Sequence, residues 1–270
     1  MDAAIDVIGG RTLVALTGAG ISTDSGIPDY RGAGAPKRTP MTINQFVRSE
    51  RARKRYWAGS HLGWQRFRDA RPNRGHRALV ELETAGLLRG VITQNVDGLH
   101  TAAGSRRVVP LHGTMDRVLC LECGQVFARE GIAARIDAAN PWLVRRESAA
   151  QAQIAPDGDA DVSEFDDVVI PACTVCGGML KPDVVFFGEF IPTERFAGAS
   201  ALLDGSGALL VAGSSLAVNS GIRLIEQARR KRMPIVVVNR GATKGDTRAT
   251  VKLDAGTSQT LSALAARLSA

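Results

Sequence analysis

Three groups of residues in this chain are of types that do chemistry: a glycine-led loop near the start, two cysteine pairs, and a histidine at position 112. The loop lies in TLVALTGAGISTDSGIPDYR, from Thr12 to Arg31. An apolar run feeds Gly18, Ala19 and Gly20, which are small enough for backbone N–H groups to approach a pyrophosphate, and a following helix N-terminus would favour its charge. The spacing departs from the G-x-G-x-x-G fingerprint, which would need glycine at Thr23, whereas the next glycine is Gly26. Nor does an acidic residue close a second strand about 20 positions on, where a dehydrogenase holds its adenosine ribose. The loop reads as nucleotide-binding, but not for hydride transfer.

The cysteines form Cys120-Leu-Glu-Cys123 and Cys173-Thr-Val-Cys176, each pair followed by glycine. Two such knuckles can surround one tetrahedral zinc ion and leave no position open for water, so the expected metal is structural. The 49 residues between the pairs exceed the usual spacing of about 15–20. The longer loop costs only about 1 kcal/mol more to close, against roughly 10–16 kcal/mol from structural zinc binding. Disulfides suit a reducing cytosol poorly, and a thioredoxin-like reading fits one such pair but not two.

His112 ends the apolar run VVPLH, which places its imidazole at the end of a short strand or turn. A lone histidine is more often structural than catalytic, but QNVDGLH, from Gln94 to His100, precedes it closely. Asn95 could hydrogen-bond an amide, and Asp97 could order a ribose or a water. Capping the next helical turn is the alternative for Asp97.

These residues need elements to position them. Apolar runs at Thr12–Leu16, Gly90–Thr93, Ala208–Ala212 and Ile235–Val238 read as buried parallel strands. Helical patterns cover His76–Ala85, Ile222–Arg232 and residues 258–270. The alternation predicts an α/β fold, an open parallel sheet wrapped by helices, with ligands beyond the carboxyl ends of its strands. TGAG, QNVD, GSS and NRG are the polar tails found there. Two stretches interrupt the pattern. Residues 33–72 are helical and basic, with Trp57, Trp64 and Phe67 to pack a small module, and residues 114–180 carry the cysteines and an acidic, flexible-looking segment, Pro156 to Asp167. The remaining parts, about 1–32, 73–113 and 181–270, make up the sheet.

The 270 residues suffice for a full core, and 44% hydrophobic with 23% charged residues is ordinary for a soluble domain. The N-terminus lacks the layout of a secretory signal, and no apolar stretch approaches the roughly 18 residues of a membrane span, so a cytoplasmic protein with no membrane partner is expected. The net charge is +7, yet aromatic residues make up only 5% of the chain. The basic clusters read as solvated faces, with no specific nucleic-acid partner.

GAGISTDSGIPDYR, TQNVDGLH, LHG, the paired cysteines, KPDVVFFGE (Lys181 to Glu189), GSSLAV and VVNRG occur in the order of the sirtuin family, and the resemblance covers essentially the whole chain. GIPDYR, the Trp57 to Trp64 spacing and MDRVLCLECG are most similar to class II sirtuins. The resemblance implies a Rossmann-like sheet with a zinc module and a helical module. It also implies NAD⁺-dependent removal of an acyl group from lysine in proteins or peptides. His112 matches the general base, Asn95 and Asp97 the nicotinamide pocket, and Gln94 and Val96 lie with them against NAD⁺. Gly18, Ala19, Gly20 and Ile21 match the pyrophosphate loop, and Asp29, Tyr30 and Arg31 the mobile cofactor loop. Gly213, Ser214 and Ser215 match a second phosphate and ribose contact; Asn239, Arg240, Gly241 and Thr257 match the adenosine end. Acyl-lysine peptide would add as a strand between Val185, Phe186, Phe187, Gly188 and Glu189 on one side and Val218 on the other, with Val185 and Phe187 lining the acyl-lysine tunnel. An ordinary buried strand fits 185–189 equally well by composition. Asn219 stands where similar sequences have tyrosine, and the Tyr-x-x-Arg pair of succinyl- and malonyl-lysine enzymes is absent. ADP-ribosyl transfer from the same pocket, or a noncatalytic NAD-sensing zinc scaffold, are the rival readings.

Overall fold

The computed structural model describes residues 1–30, 40–143, 155–156, 158–160 and 162–269. Its central sheet is built from runs whose side chains are apolar on both faces, the composition of strands covered by helices on each side. The strands are β1 (Leu13–Thr17), β2 (Leu88–Thr93), β3 (Val108–Pro110), β7 (Ala208–Ala212), β8 (Ile235–Val238) and β9 (Val251–Leu253). They run parallel in the order β3-β2-β1-β7-β8-β9. The four runs expected as strands are β1, β2, β7 and β8, with β1 and β2 shifted or lengthened by one or two residues. β9 is an addition at one edge.

Alternation along each strand sorts its side chains into two cores. Leu13, Ala15, Leu210, Val236 and Val238 face α1 (Asp2–Ile8), α4 (Arg74–Thr84) and the last helix, Thr257–Leu268. Val14, Leu16, Leu209, Val211 and Val237 face helices Thr193–Asp204 and Asn219–Arg230. These last three helices are α9, α7 and α8 respectively. Helix α4 starts where Asn73 accepts from Gly75 and His76 N–H, with the His76 ring returning to the Asn73 N–H. A cap of this kind is worth about 1 kcal/mol.

Between β2 and β3 lies the short α5 (Leu99–Ala103), and after β3 comes a second, antiparallel sheet. It orders β5 (Val126–Ala128), β4 (Gly113–Cys120) and β6 (Leu180–Val184), and α6 (Arg129–Ala139) packs on it. Over this sheet lie α2 (Ile43–Arg48) and α3 (Glu50–Asp69). Trp57, Leu62, Trp64 and Phe67 from α3 share one core with Met115, Val118, Ile132 and Leu180. The helical and cysteine-bearing stretches, separate in sequence, therefore bury their apolar faces against each other. The acidic segment is not a loose tether where it is described. Asp159 pairs with Arg55 at 2.7 Å, and Asp166 with Arg51 at 2.8 Å. Part of the basic cluster on α3 is thus neutralised.

Candidate active site

The sheet order reverses between β1 and β7, so the chain leaves these two neighbours in opposite directions and opens a crevice beyond their carboxyl ends. The glycine turn after β1 and the GSS turn after β7 meet there. Gly20 N–H donates to the Gly213 carbonyl at 2.8 Å, and Gly18 N–H to Ala212 at 3.2 Å. Gly213 has φ +65°, and a Cβ on it would lie 2.3 Å from the Ile21 nitrogen. Only glycine allows both this conformation and this approach. The glycines thus first serve to interlock two loops, a reason additional to room for a pyrophosphate. In place of an immediate helix, two short 3₁₀ turns, Ala19–Ile21 and Thr23–Ser25, carry the chain toward Asp29 and Tyr30. Arg31 lies outside the described residues. Thr257, at the start of α9, donates through its hydroxyl to the Gly20 carbonyl at 3.2 Å.

Gln94 joins this crevice to His112. The Gln94 N–H continues the sheet pairing to Thr17, and its side-chain carbonyl accepts from the Ser214 hydroxyl at 2.6 Å. The Gln94 backbone carbonyl lies 3.0 Å from His112 Nδ1. A carbonyl can only accept, so Nδ1 carries the proton and Nε2 is the basic atom. Nε2 is 3.0 Å from the hydroxyl of Ser220, which donates to it. Burial holds the His112 pKa below its ordinary 6.5; the Gln94 hydrogen bond opposes this, and the charge of Arg195 adds to it. The imidazole is therefore neutral at pH 7.

Asn95 Nδ2 donates to the Ser22 hydroxyl at 3.1 Å, and Ser22 donates to Asp97 at 2.7 Å. The other Asp97 oxygen accepts from Leu99 N–H at 2.9 Å, so the capping role exists alongside the connection to the crevice. Burial raises the Asp97 pKa, against the hydrogen bonds from Leu99, Ser22 and Asn95. Val96 is buried, and its carbonyl accepts from Met115 N–H at 3.0 Å. Asn239, Arg240 and Gly241 follow β8 at the far end of the crevice. Gly241 N–H donates to Asp254 at 2.9 Å, and Asn239 turns its amide onto the Arg240 carbonyl at 2.7 Å.

Residues 185–189 leave β6 with alternating sides. Phe186 is buried with its ring 5.1 Å from Phe46 and 4.8 Å from Tyr56, whereas Phe187 is 45% exposed. Val185 N–H donates to the His112 carbonyl at 2.8 Å. Gly188 turns the chain with φ +78°, and Glu189 points inward to pair with the buried Lys181 at 3.1 Å. Val218, after the GSS turn, is 41% exposed. Ser215 lies in that turn, its carbonyl accepting from Lys244 N–H at 3.0 Å.

Three residues that the motif reading passed over complete the site: Ser22, Ser220 and Asn73. Asn73 donates to the Ile21 carbonyl at 2.8 Å and accepts from Ser258 at 3.2 Å, fixing the glycine turn against α4 and α9. Its signal was the capping pattern Asn73-x-x-His76. Ser220 sits at the start of α8, where serine reads as an ordinary terminus.

Cys120, Cys123, Cys173 and Cys176 bring their sulfurs within 4.8 Å of one another. Cys120 and Cys176 are 3.5 Å apart, and Cys123 and Cys173 3.8 Å. Four thiolates at about 2.3 Å from one zinc ion would stand about 3.8 Å apart, so the spacing fits a tetrahedral metal site. It does not fit disulfides, whose sulfurs lie at about 2.05 Å.

Residues 18–220 match the Sir2 family. The chain is 52% identical to NAD-dependent protein deacetylase 1 of Mycobacterium avium (strain 104), covering 98% of this chain and 94% of that protein. It is 49% identical to NAD-dependent protein deacetylase 1 of Streptomyces coelicolor, covering 97% and 88%. Among solved structures, Sir2Tm bound to a propionylated peptide superposes with a TM-score of 0.77 at 29% identity, covering 99% of this chain and 98% of that one. A Sir2 homolog–NAD complex gives 0.77 at 28%, covering 99% and 93%. With a switch-point crevice, a neutral histidine beside it and a four-thiol cluster already in place, the chain belongs to the Sir2 family, the sirtuins.

Proposed function

We infer that the chain is an NAD-dependent protein-lysine deacylase. It joins NAD⁺ and an acyl-lysine side chain in the crevice, and with one water yields nicotinamide, O-acyl-ADP-ribose and free lysine. The single observation that carries this reading is His112. Its proton is fixed on Nδ1 by the Gln94 backbone carbonyl, its basic Nε2 accepts from the Ser220 hydroxyl, and the Gln94 side chain accepts from Ser214 in the turn that interlocks with the glycine loop. A general base needs this: a neutral imidazole, oriented, with one nitrogen ready for a hydroxyl proton.

In this proposal Gly18 to Ile21 and Gly213 to Ser215 hold the phosphates, and Asn95 and Asp97 hold the nicotinamide amide. Asp29, Tyr30 and Arg31 cover the ribose, and Asn239, Arg240, Gly241 and Thr257 take the adenosine. The acyl oxygen attacks the ribose C1′ carbon as nicotinamide leaves, a step that calls for a dry, close approach. His112 Nε2 then takes the proton of a ribose hydroxyl, whose oxygen attacks the acyl carbon. Peptide backbone pairs between residues 185–189 and Val218; the exposed Phe187 and Val218 suit that edge. The whole chain acts as one catalytic domain, and the four cysteines hold structural zinc. Free thiols of this kind suit the cytoplasm.

The test is incubation with NAD⁺ and a panel of lysine peptides carrying different acyl chains. Equal amounts of nicotinamide and O-acyl-ADP-ribose are expected, and failure to form either with every chain would overturn the reading. Labelled ADP-ribose appearing on protein instead would assign the pocket to transfer.

A further inference from the structure

Arg129 is the first residue of α6 and is only 1% exposed. A guanidinium in such a place needs a counter-charge and five acceptors. It has little of either. One nitrogen, Nη2, donates to the Ser60 carbonyl at 2.9 Å and to the Ser60 hydroxyl at 3.2 Å. Nε and Nη1 have no acceptor. No carboxylate pairs with Arg129 among the described residues. Asp137, on the same helix, takes His61 Nε2 at 2.8 Å, and Asp159 takes Arg55. Burial lowers the Arg129 pKa to about 10, with only Tyr56 opposing, so the group stays cationic at neutral pH.

Its surroundings come from one face of α3. Trp57, Ser60, His61 and Trp64 stand at i, i+3, i+4 and i+7, the spacing that stacks side chains on one side of a helix. The Trp57 ring centroid is 4.9 Å from the Arg129 guanidinium carbon and that of Trp64 5.8 Å. The indole N–H of Trp57 is also buried without an acceptor. His61 differs: Nε2 must donate to the Asp137 carboxylate, so its unpartnered Nδ1 is an acceptor and stands outside the donor set. What remains is three guanidinium N–H bonds and one indole N–H, all enclosed, all donors, around a positive charge. Water would satisfy some of these bonds but would leave the charge uncompensated.

We propose that Arg129 and Trp57 form a buried binding site, between α3 and α6, for a small monovalent anion of chloride or carboxylate size. The anion accepts from Arg129 Nε and Nη1 and from Trp57 Nε1, and it neutralises a buried cation that no carboxylate among the described residues pairs with. This site is separate from the NAD⁺ and peptide contacts.

The two tryptophans report on it directly. In Trp142→Phe protein, which keeps only Trp57 and Trp64, iodide is titrated at constant ionic strength while indole fluorescence is followed, and chloride is titrated against the unfolding temperature. Saturable quenching and a saturable rise in Tm are expected. Trp57→Phe retains the ring but loses one N–H to the anion, which should weaken the chloride midpoint about tenfold. Arg129→Met should abolish saturation; should that variant fail to fold, the Trp57→Phe shift decides. Linear quenching, with a chloride response identical in the parent and Trp57→Phe, would show that water fills the site and overturn the proposal.

Discussion

At the scale of single residues, the site turns on how one imidazole is held. The Gln94 carbonyl decides which nitrogen of His112 is basic, and the Ser220 hydroxyl donates to that nitrogen. Ser220→Ala should leave the affinity for NAD⁺ nearly unchanged and lower kcat about 3–10-fold, the scale of one hydrogen bond. Loss of NAD⁺ binding, read by calorimetry, would show a structural role instead. His112→Gln should remove turnover and retain binding. A general base works only when unprotonated, and burial holds the His112 pKa below 6.5. Activity should therefore fall on acidification with its acid limb centred below pH 6.5, through the lower folded pKa; an acid limb centred above 6.5 would contradict this. Much of the site was legible residue by residue, because Gln94, Asn95, Asp97 and His112 end apolar strands and polar residues collect there. Ser220 was not. Its contact with His112 spans 108 positions, and a serine at a helix start carries no local mark of such a partner. Arg129 was hidden for the same reason: a basic residue opening a helix reads as solvated.

At the scale of elements, the strands with unbroken apolar runs were readable, while β5 and β9 were not read as strands and β3 was read only as a short strand or turn. Each has only three residues and is at most partly buried, so neither length nor alternation marks it. The antiparallel sheet was equally hidden, since β4 and β6 pair across the long stretch that holds the acidic segment. Packing also creates a buried pair that no motif announces. His76 on α4 and His100 on α5 lie with rings 4.8 Å apart. His100 Nε2 donates to Thr17, whose own proton goes to Thr93, and His76 Nδ1 accepts from Asn73. This leaves a donor at His76 Nε2 and an acceptor at His100 Nδ1, each without a partner. The two are complementary only while both rings are neutral. Burial lowers their pKa values to about 4 and about 3. Below pH 6.5 the unfolded chain binds protons that the folded one refuses, so this contribution is complete above 6.5. It is lost as pH falls toward 4, by on the order of several kcal/mol. Urea midpoints measured between pH 7 and pH 5 should fall, and His76→Gln should flatten that slope. An unchanged slope would remove the pair from the acid sensitivity of the fold.

At the scale of the whole molecule, one strand connects the metal site to the chemistry. β4 begins beside His112 and ends at Cys120, while β6 begins at Leu180 and leads into Val185. Cys120 pairs with Leu180 at one end, and Val185 N–H holds the His112 carbonyl at the other. Between them the register shifts from Gly113–Val184 to Val118–Pro182. The slack lets Met115 N–H leave the ladder and take the Val96 carbonyl, which ties the same strand to the QNVD loop. Eight residues of strand span about 27 Å, too far for the metal to act on the reaction, but the ladder is continuous. The spacing of the four thiols fits the proposed zinc, which with four thiolate ligands would leave no position for substrate and would serve to fix the far end of β4 and β6. Removing it with a chelator should therefore abolish deacylation by loosening His112, not by removing a reagent. The six-stranded sheet should survive, because its two cores contain no residue of β4 or β6. Hydrogen exchange after chelation should show lost protection in residues 113–120 and 180–185 with β1, β7 and β8 still protected. One zinc per chain restored at neutral pH should recover both protection and turnover. Full activity in zinc-free protein, verified by metal analysis, would separate the two ends of this strand and refute the coupling.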